Sequence, residues 1–488
     1  MPRPAALLGT LALDRAADAP LQRQLYDALR EAILDGRLAP RTRLPSSRQL
    51  WRDLGAARNT IVGAFEQLVA EGYLEARVGD GTRVAAVLPE SLLHVGRATA
   101  GRPAPGRLPK LSARGRALIS VRRPPADPRR RAFQPGLPAL DEFPRELWAR
   151  LLARRARMPA RGLRGYAHPA GLPALREAIA AHLGPARGVA CDPAQVVVVS
   201  GSQAALDVCC RLLLDPGDAA WIEEPGYLGA RGALTAAGAR LVPVPVDAHG
   251  IDVREGIARF PAARLAYVTP SHQFPLAVTM TLARRLELLA WAAEAGAWII
   301  EDDYDSEYRY AGRPVAAMQG LDDSGSVLFT GSFNKVMFPS LRLAYLVVPE
   351  SLVEPFTAAR ALADGHVPVL PQRAMADFLE AGHFGAHLRA MRLLYGERRE
   401  ALQDALSREL GARLRIVGDA AGMHLTGLLP MGTDDVALAA RAAARGLDPG
   451  ALSPHYLGTR KVPGLLLGFS GVAPAELRRA ARVLARLL

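Results

Sequence analysis

Lysine is almost missing from this chain of 488 residues: three lysines stand against 58 arginines. Cysteine is equally scarce. Cys191, Cys209 and Cys210 have no metal-ligand spacing and are too few for a disulfide framework, so no metal site is expected and a reducing compartment fits. No uniformly apolar run reaches the ~20 residues that a membrane-crossing helix needs. The short apolar stretch from Ala5 to Leu13 is interrupted by Gly9 and Thr10 and followed by Asp14 and Asp18, which makes it a poor secretion signal. A cytoplasmic protein with no membrane partner is expected.

What is present is a globular chain, half hydrophobic, long enough for two or three domains. Its net charge of +13 is unevenly placed. Residues 1–88 hold 12 basic and 10 acidic side chains, whereas residues 89–131 hold 11 basic and 2 acidic ones. The second segment is rich in Pro, Gly and Arg, and 87–131 reads as a linker. Its charge is either solvated or laid along a polyanion.

Ahead of it, residues 18–86 read as a small module. Leu21, Leu25, Leu29, Ile33 and Leu34 recur at helical spacing and the helix stops near Gly36. A short helix from Ser47 to Leu54, with Ser46 or Ser47 as cap, ends at Gly55. A third helix from about Ala57 to Gly72 turns Ile61, Phe65, Leu68 and Val69 inward and presents Arg58, Asn59 and Thr60 outward in its first turn. That order suits a recognition helix entering a major groove. Two strands around Gly79-Asp80-Gly81 follow as a hairpin.

From about Gln195 to Val348, short β-rich runs alternate with helical stretches, which predicts a mainly parallel sheet with ligands at the carboxyl ends of its strands. Three polar motifs fall there. Ser200-Gly201-Ser202-Gln203 joins four valines to a helix whose free N–H groups suit an anion, although plain serine capping explains the same residues. In Glu301-Asp302-Asp303-Tyr304, alternation sends Asp302 and Tyr304 to one side. Lys335 has Ser332 three residues before it and Arg342 seven after. Arginine cannot shed its proton and lysine can, so a lysine kept where arginine has replaced nearly all others suits an amine that attacks a carbonyl, although Lys110 and Lys461 fit the plainer reading that a few lysines survive by chance.

Two resemblances gather these motifs. The segment LPSSRQLWRDLGAARNTIVGAFEQLVAEGYLEARVGDGTRV resembles the winged helix-turn-helix of the GntR family of bacterial transcription regulators. It implies that Arg48, Arg58, Asn59 and Thr60 meet double-stranded DNA and that the Gly79–Gly81 tip reaches the minor groove. Residues 132–488, through YAHPAG, SGSQAALD, EEPGYLGA, TPSHQFP, EDDYDSEYRY, GSFNKVMFPSLRLAY, GHFGAHLRAMRLLY and AGMHL, resemble a fold-type I aminotransferase domain. The fusion resembles the MocR subfamily: an α+β winged module followed by an α/β transferase domain with a smaller α+β subdomain at about 380–488. The resemblance implies pyridoxal 5′-phosphate joined to Lys335, with Asp302 on the ring nitrogen, Tyr304 on the ring oxygen and Tyr227 stacked on the ring. It also implies Gly201, Ser202, Gln203, Ser332 and Arg342 around the phosphate, and Tyr166 reaching it from the other subunit of a homodimer. An amine or amino-acid effector would exchange at Lys335 and alter DNA binding; a catalytically active aminotransferase with a helical appendage is the alternative. Asn334, Leu276-Ala277 and Ala344 depart from the residues common in relatives.

Overall fold

The computed structural model describes residues 13–15, 17, 19–77, 81–88, 111–121, 129–157, 165–310, 315–418 and 421–488. Gly79 and much of the basic segment lie outside them. The chain divides into two compact units between Pro109 and Lys110.

In the smaller unit, helix α1 (Leu21–Leu34) buries Leu25, Tyr26, Leu29 and Ile33. Leu34, expected inward, is exposed, because it lies one residue, or about 100°, beyond Ile33 on the helical wheel. Helix α2 (Ser47–Leu54) is capped by Ser46, whose side chain accepts the Gln49 N–H, and closed by left-handed Gly55. Helix α3 (Arg58–Ala70) buries Ile61, Ala64, Phe65 and Leu68. Val69, also expected inward, sits at the edge of that stripe and is exposed. Strands β1 (Leu74–Arg77) and β2 (Gly81–Val84) pair antiparallel from Leu74↔Val84 to Arg77↔Gly81. Residues 41–44 add to the edge of β2 through Leu44 N–H to Thr82 O and Val84 N–H to Thr42 O.

The larger unit is built on an eight-stranded sheet. Its strands are β3 (Val196–Val199), β4 (Ala219–Glu224), β5 (Arg240–Asp247), β6 (Gly250–Ile251), β7 (Leu265–Val268), β8 (Trp298–Asp303), β9 (Val327–Ser332) and β10 (Ala344–Val347). They lie in the order β3-β10-β9-β8-β7-β4-β5-β6. The pairs from β9 through β8, β7 and β4 to β5 are parallel, and β10 runs antiparallel between β3 and β9. Both faces are covered by helices, so strands such as the four valines of β3 are buried throughout. A four-stranded antiparallel sheet follows near the C-terminus, in the order β11 (Arg415–Val417), β12 (His424–Leu428), β14 (Gly464–Gly468), β13 (Gly450–Ala451). Helices His383–Leu410 and Pro474–Ala485 pack on one another beside it.

Part of the segment read as a linker is structured. Ala113–Ser120 is a helix capped by Ser112, packed on helix Leu228–Ala237. Arg130 pairs with Asp141 at 3.0 Å, and Arg131 donates to Ala443 O at 3.2 Å. Among the described residues no helix is long and apolar enough to cross a membrane.

Candidate functional site

The carboxyl ends of β7, β8 and β9 converge on Asp302. It is buried, and its Oδ2 accepts the Tyr267 hydroxyl at 2.8 Å while its Oδ1 has no hydrogen-bond partner among the described residues. Burial pushes its pKa up to about 7, with Asp303 and Asp305 adding and the Tyr267 bond and the Lys335 charge opposing. Its neighbours on β8 face the other way. Glu301 accepts the N–H groups of Met318 and Gln319, and Asp303 pairs with buried Arg187 at 2.7 Å. The acidic strand end is therefore a packed interior, and a solvated one is excluded.

Lys335 follows β9 in a tight turn. Its Nζ donates to Gly136 O at 3.2 Å, and a Cβ on Gly136 would lie only 2.5 Å from that nitrogen. Ser332 Oγ accepts the Asn334 N–H at 3.2 Å, and Asn334 Oδ1 accepts the Leu343 N–H at 3.0 Å. The asparagine that departs from relatives thus braces the turn. Arg342 holds a left-handed conformation, φ 54°. Its guanidinium lies against Gly201, where a Cβ would stand 3.1 Å from Nη2. Gly201 itself (φ 146°) is the cap of helix Ser202–Leu213 and makes no side-chain capping bond, so serine capping does not account for this motif. The start of that helix, with its free N–H groups, thus lies beside the Arg342 cation, a combination that suits an anion. Gln203 donates instead to Gly229 O at 3.0 Å.

Tyr227 caps helix Leu228–Ala237, and its ring meets Phe274 edge-on at 5.7 Å. Its loop is tied to a later segment. Glu224 accepts the N–H groups of Leu457 and Gly458 at 2.7–2.9 Å, Gly226 N–H donates to His455 O at 3.1 Å, and His455 Nδ1 lies 3.0 Å from Gly226 O. Tyr166 is 97% exposed, close only to the ring of His366 among described aromatics.

Sequence reading missed His272, Asp305, Tyr267 and His424. Tyr304 donates to or accepts from His272 Nδ1 at 2.9 Å, and the same nitrogen lies 2.9 Å from Asp305 Oδ1. His424 packs on His272 with ring centroids 5.1 Å apart; burial lowers its pKa to about 3. One donor atom each of His272, Asp305 and His424 lies within 4.8 Å of the others. The imidazoles meet protein acceptors there, His424 Nε2 lying 3.3 Å from Pro275 O. His272, Asp305 and His424 fall inside the motifs TPSHQFP, EDDYDSEYRY and AGMHL, but nothing in those motifs says that the three meet.

On the smaller unit, Arg48, Arg58 and Asn59 are exposed and Thr60 is half-buried, while Gly81 opens β2. Exposed Arg43, not singled out from sequence, lies beside the wing, with its Nε 3.3 Å from where a Gly81 Cβ would be.

Comparison with known proteins covers both units. Residues 21–84 match the bacterial regulatory proteins of the gntR family, and residues 146–445 match the aminotransferase class I and II family. The chain is 45% identical to the probable rhizopine catabolism regulatory protein MocR of Rhizobium meliloti, over 96% of this chain and 94% of that one. It is 30% identical to the pyridoxine biosynthesis transcriptional regulator PdxR of Corynebacterium glutamicum, over 94% of each. Among solved structures it is similar to a kynurenine aminotransferase of Pyrococcus horikoshii in complex with PMP (TM-score 0.69, 26% identity, 78% of this chain and 95% of that one). It is also similar to the α-aminoadipate aminotransferase LysN of Thermus thermophilus, complexed with N-(5′-phosphopyridoxyl)-L-leucine (TM-score 0.68, 28% identity, 77% and 94%).

Proposed function

Because the chain belongs to the MocR subfamily of GntR-family transcription regulators, we propose that its larger unit holds pyridoxal 5′-phosphate as the sensor of an amine or amino-acid effector. The observation that carries this reading is the buried Asp302 Oδ1, left without a partner among the described residues and close enough to Lys335 to feel its charge. A pyridinium N–H would satisfy that atom and neutralise the charge that burial penalises. When bound, the cofactor supplies an aldehyde carbon that links to a primary amine and passes from one amine to another. The chain's residues do the rest. Lys335 offers the amine, Asp302 keeps the ring nitrogen protonated, Tyr304 addresses the ring oxygen, and Tyr227 covers one face of the ring. Arg342, Ser202, Ser332 and the N–H groups after Gly201 take the phosphate, with Gln203 holding the Gly229 backbone alongside. Tyr166, exposed on its own protomer, reaches the phosphate of a second copy, which makes the working unit a homodimer.

Arg48, Arg58, Asn59, Thr60 and the wing from Gly79 to Gly81 read operator DNA, and effector binding changes that contact only through unequal affinity for two arrangements of the protein. The test is a footprint of the full-length protein on its own upstream region, with and without pyridoxal phosphate and a panel of amines. Protection that an amine alters in wild type, but not in Lys335→Ala, supports the reading. No protection under any condition overturns it. The likeness of the larger unit to solved aminotransferases favours a second reading, an active aminotransferase. It requires sustained transfer from an amino donor to a keto acid.

A further inference from the structure

His272 and Asp305 are 2% and 1% exposed and lie on separate segments of the chain. They meet through His272 Nδ1, 2.9 Å from Asp305 Oδ1 and 3.2 Å from Oδ2. The Tyr304 hydroxyl lies 2.9 Å from the same Nδ1. One nitrogen therefore has two polar neighbours, and their chemistry decides where its proton sits. A carboxylate only accepts, so a lone pair on Nδ1 facing Asp305 at this distance would be repelled. The proton belongs on Nδ1, and Nε2, buried with no partner among the described residues, offers nothing that competes for it. The Tyr304 oxygen then accepts from that shared N–H. Its own proton is left for another acceptor.

We propose that the His272–Asp305 pair is a positioning element that fixes Tyr304 as a donor into the pocket, toward the ring oxygen of a bound pyridoxal-type cofactor. The assignment rests on the cofactor reading above. With the opposite tautomer the phenol would spend its proton on the imidazole and present only lone pairs to the ring oxygen. The imidazole is held in place: Asp305 Oδ2 also accepts the Met423 N–H at 3.2 Å, and a Cβ on Gly422 would stand 1.9 Å from His272 Cε1. Tyr304 keeps its proton, because burial pushes its pKa well above the usual phenol range and the carboxylates of Asp305, Asp302, Glu223 and Asp303 push the same way. On the far side of His272, His424 stays neutral and adds no charge.

The test reads the proton as well as the fold. The full-length protein is loaded with pyridoxal 5′-phosphate, and the pH midpoint of its bound colour change is followed by absorbance. A donor on the ring oxygen draws negative charge away from the rest of the conjugated system and holds that midpoint down. Tyr304→Phe should raise it by about one unit, or tenfold in proton affinity. His272→Phe should raise it equally, and the double variant no further. His272→Asn, which returns an N–H near the Nδ1 position, should restore it. If His272→Phe fails to fold, Asp305→Asn replaces it, with the same rise expected because the imidazole is then free to change tautomer. A midpoint that moves with Tyr304→Phe but not with these variants, or single shifts that add in the double variant, overturns the assignment and leaves cofactor binding standing. Failure to take up any pyridoxal phosphate removes both.

Discussion

Burying Asp302 with one oxygen unsatisfied makes the stability of the larger unit depend on pH. An acid whose folded pKa is raised contributes stability that is whole below its ordinary value and is lost as the pH climbs through the folded one. For Asp302 that window runs from 3.8 to about 7, and Glu223, pushed up to about 7 chiefly by burial, acts in the same sense. His424 and His455, lowered by burial to about 3 and about 4, act oppositely and withdraw stability as the pH falls below 6.5. The cofactor-free protein should therefore melt at a lower temperature at about pH 8 than at about pH 6, and Asp302→Asn should shrink that difference. An undiminished difference in scanning calorimetry would remove the role given to Asp302. Gly201 carries a second prediction. Its backbone conformation is one that essentially only glycine adopts, and a methyl group there would push on Arg342. Gly201→Ala should weaken pyridoxal phosphate binding by about tenfold or more, roughly 1.4 kcal/mol, while DNA affinity without cofactor stays as it was. Asp302 and Lys335 were legible because strand alternation and lysine scarcity single them out. His272 and Asp305 were not, since their pairing is made by the return of the chain and no local pattern encodes it.

Helix α2 shows how far local chemistry goes. Its start at Ser46 and its stop at Gly55 are both written in the sequence, and both appear as a serine cap and a left-handed glycine. Ser46→Ala should cost the smaller unit about 1 kcal/mol, which lowers its calorimetric midpoint by about 4–8 °C; an unchanged midpoint would mean that the cap adds nothing. The inward faces were less legible. Leu34 and Val69 satisfy helical spacing yet lie at the margins of their stripes, where packing against neighbours decides burial and periodicity does not. Strand direction was hidden for a similar reason. LAYLVVP reads as one more buried strand, and nothing in an apolar run says that β10 runs against β9.

For the molecule as a whole, a homodimer with shared cofactor pockets predicts that Tyr166→Ala leaves the melting of the cofactor-free protein unchanged but speeds loss of pyridoxal phosphate on dialysis. Equal retention by the variant and wild type would argue that each pocket is complete in one subunit. The two-unit organisation was legible from the charge map, but the extent of the connecting segment was not. Its arginines were read as either solvated or laid along a polyanion, whereas Arg130 and Arg131 are spent on the larger unit and Ala113–Ser120 folds onto a helix. Glu224 and Gly226, finally, fasten the Tyr227 loop to residues 455–458. That fastening is a long-range staple: any displacement of residues 455–458 must either break these bonds or carry the Tyr227 loop along, although more than two hundred residues of chain separate the two.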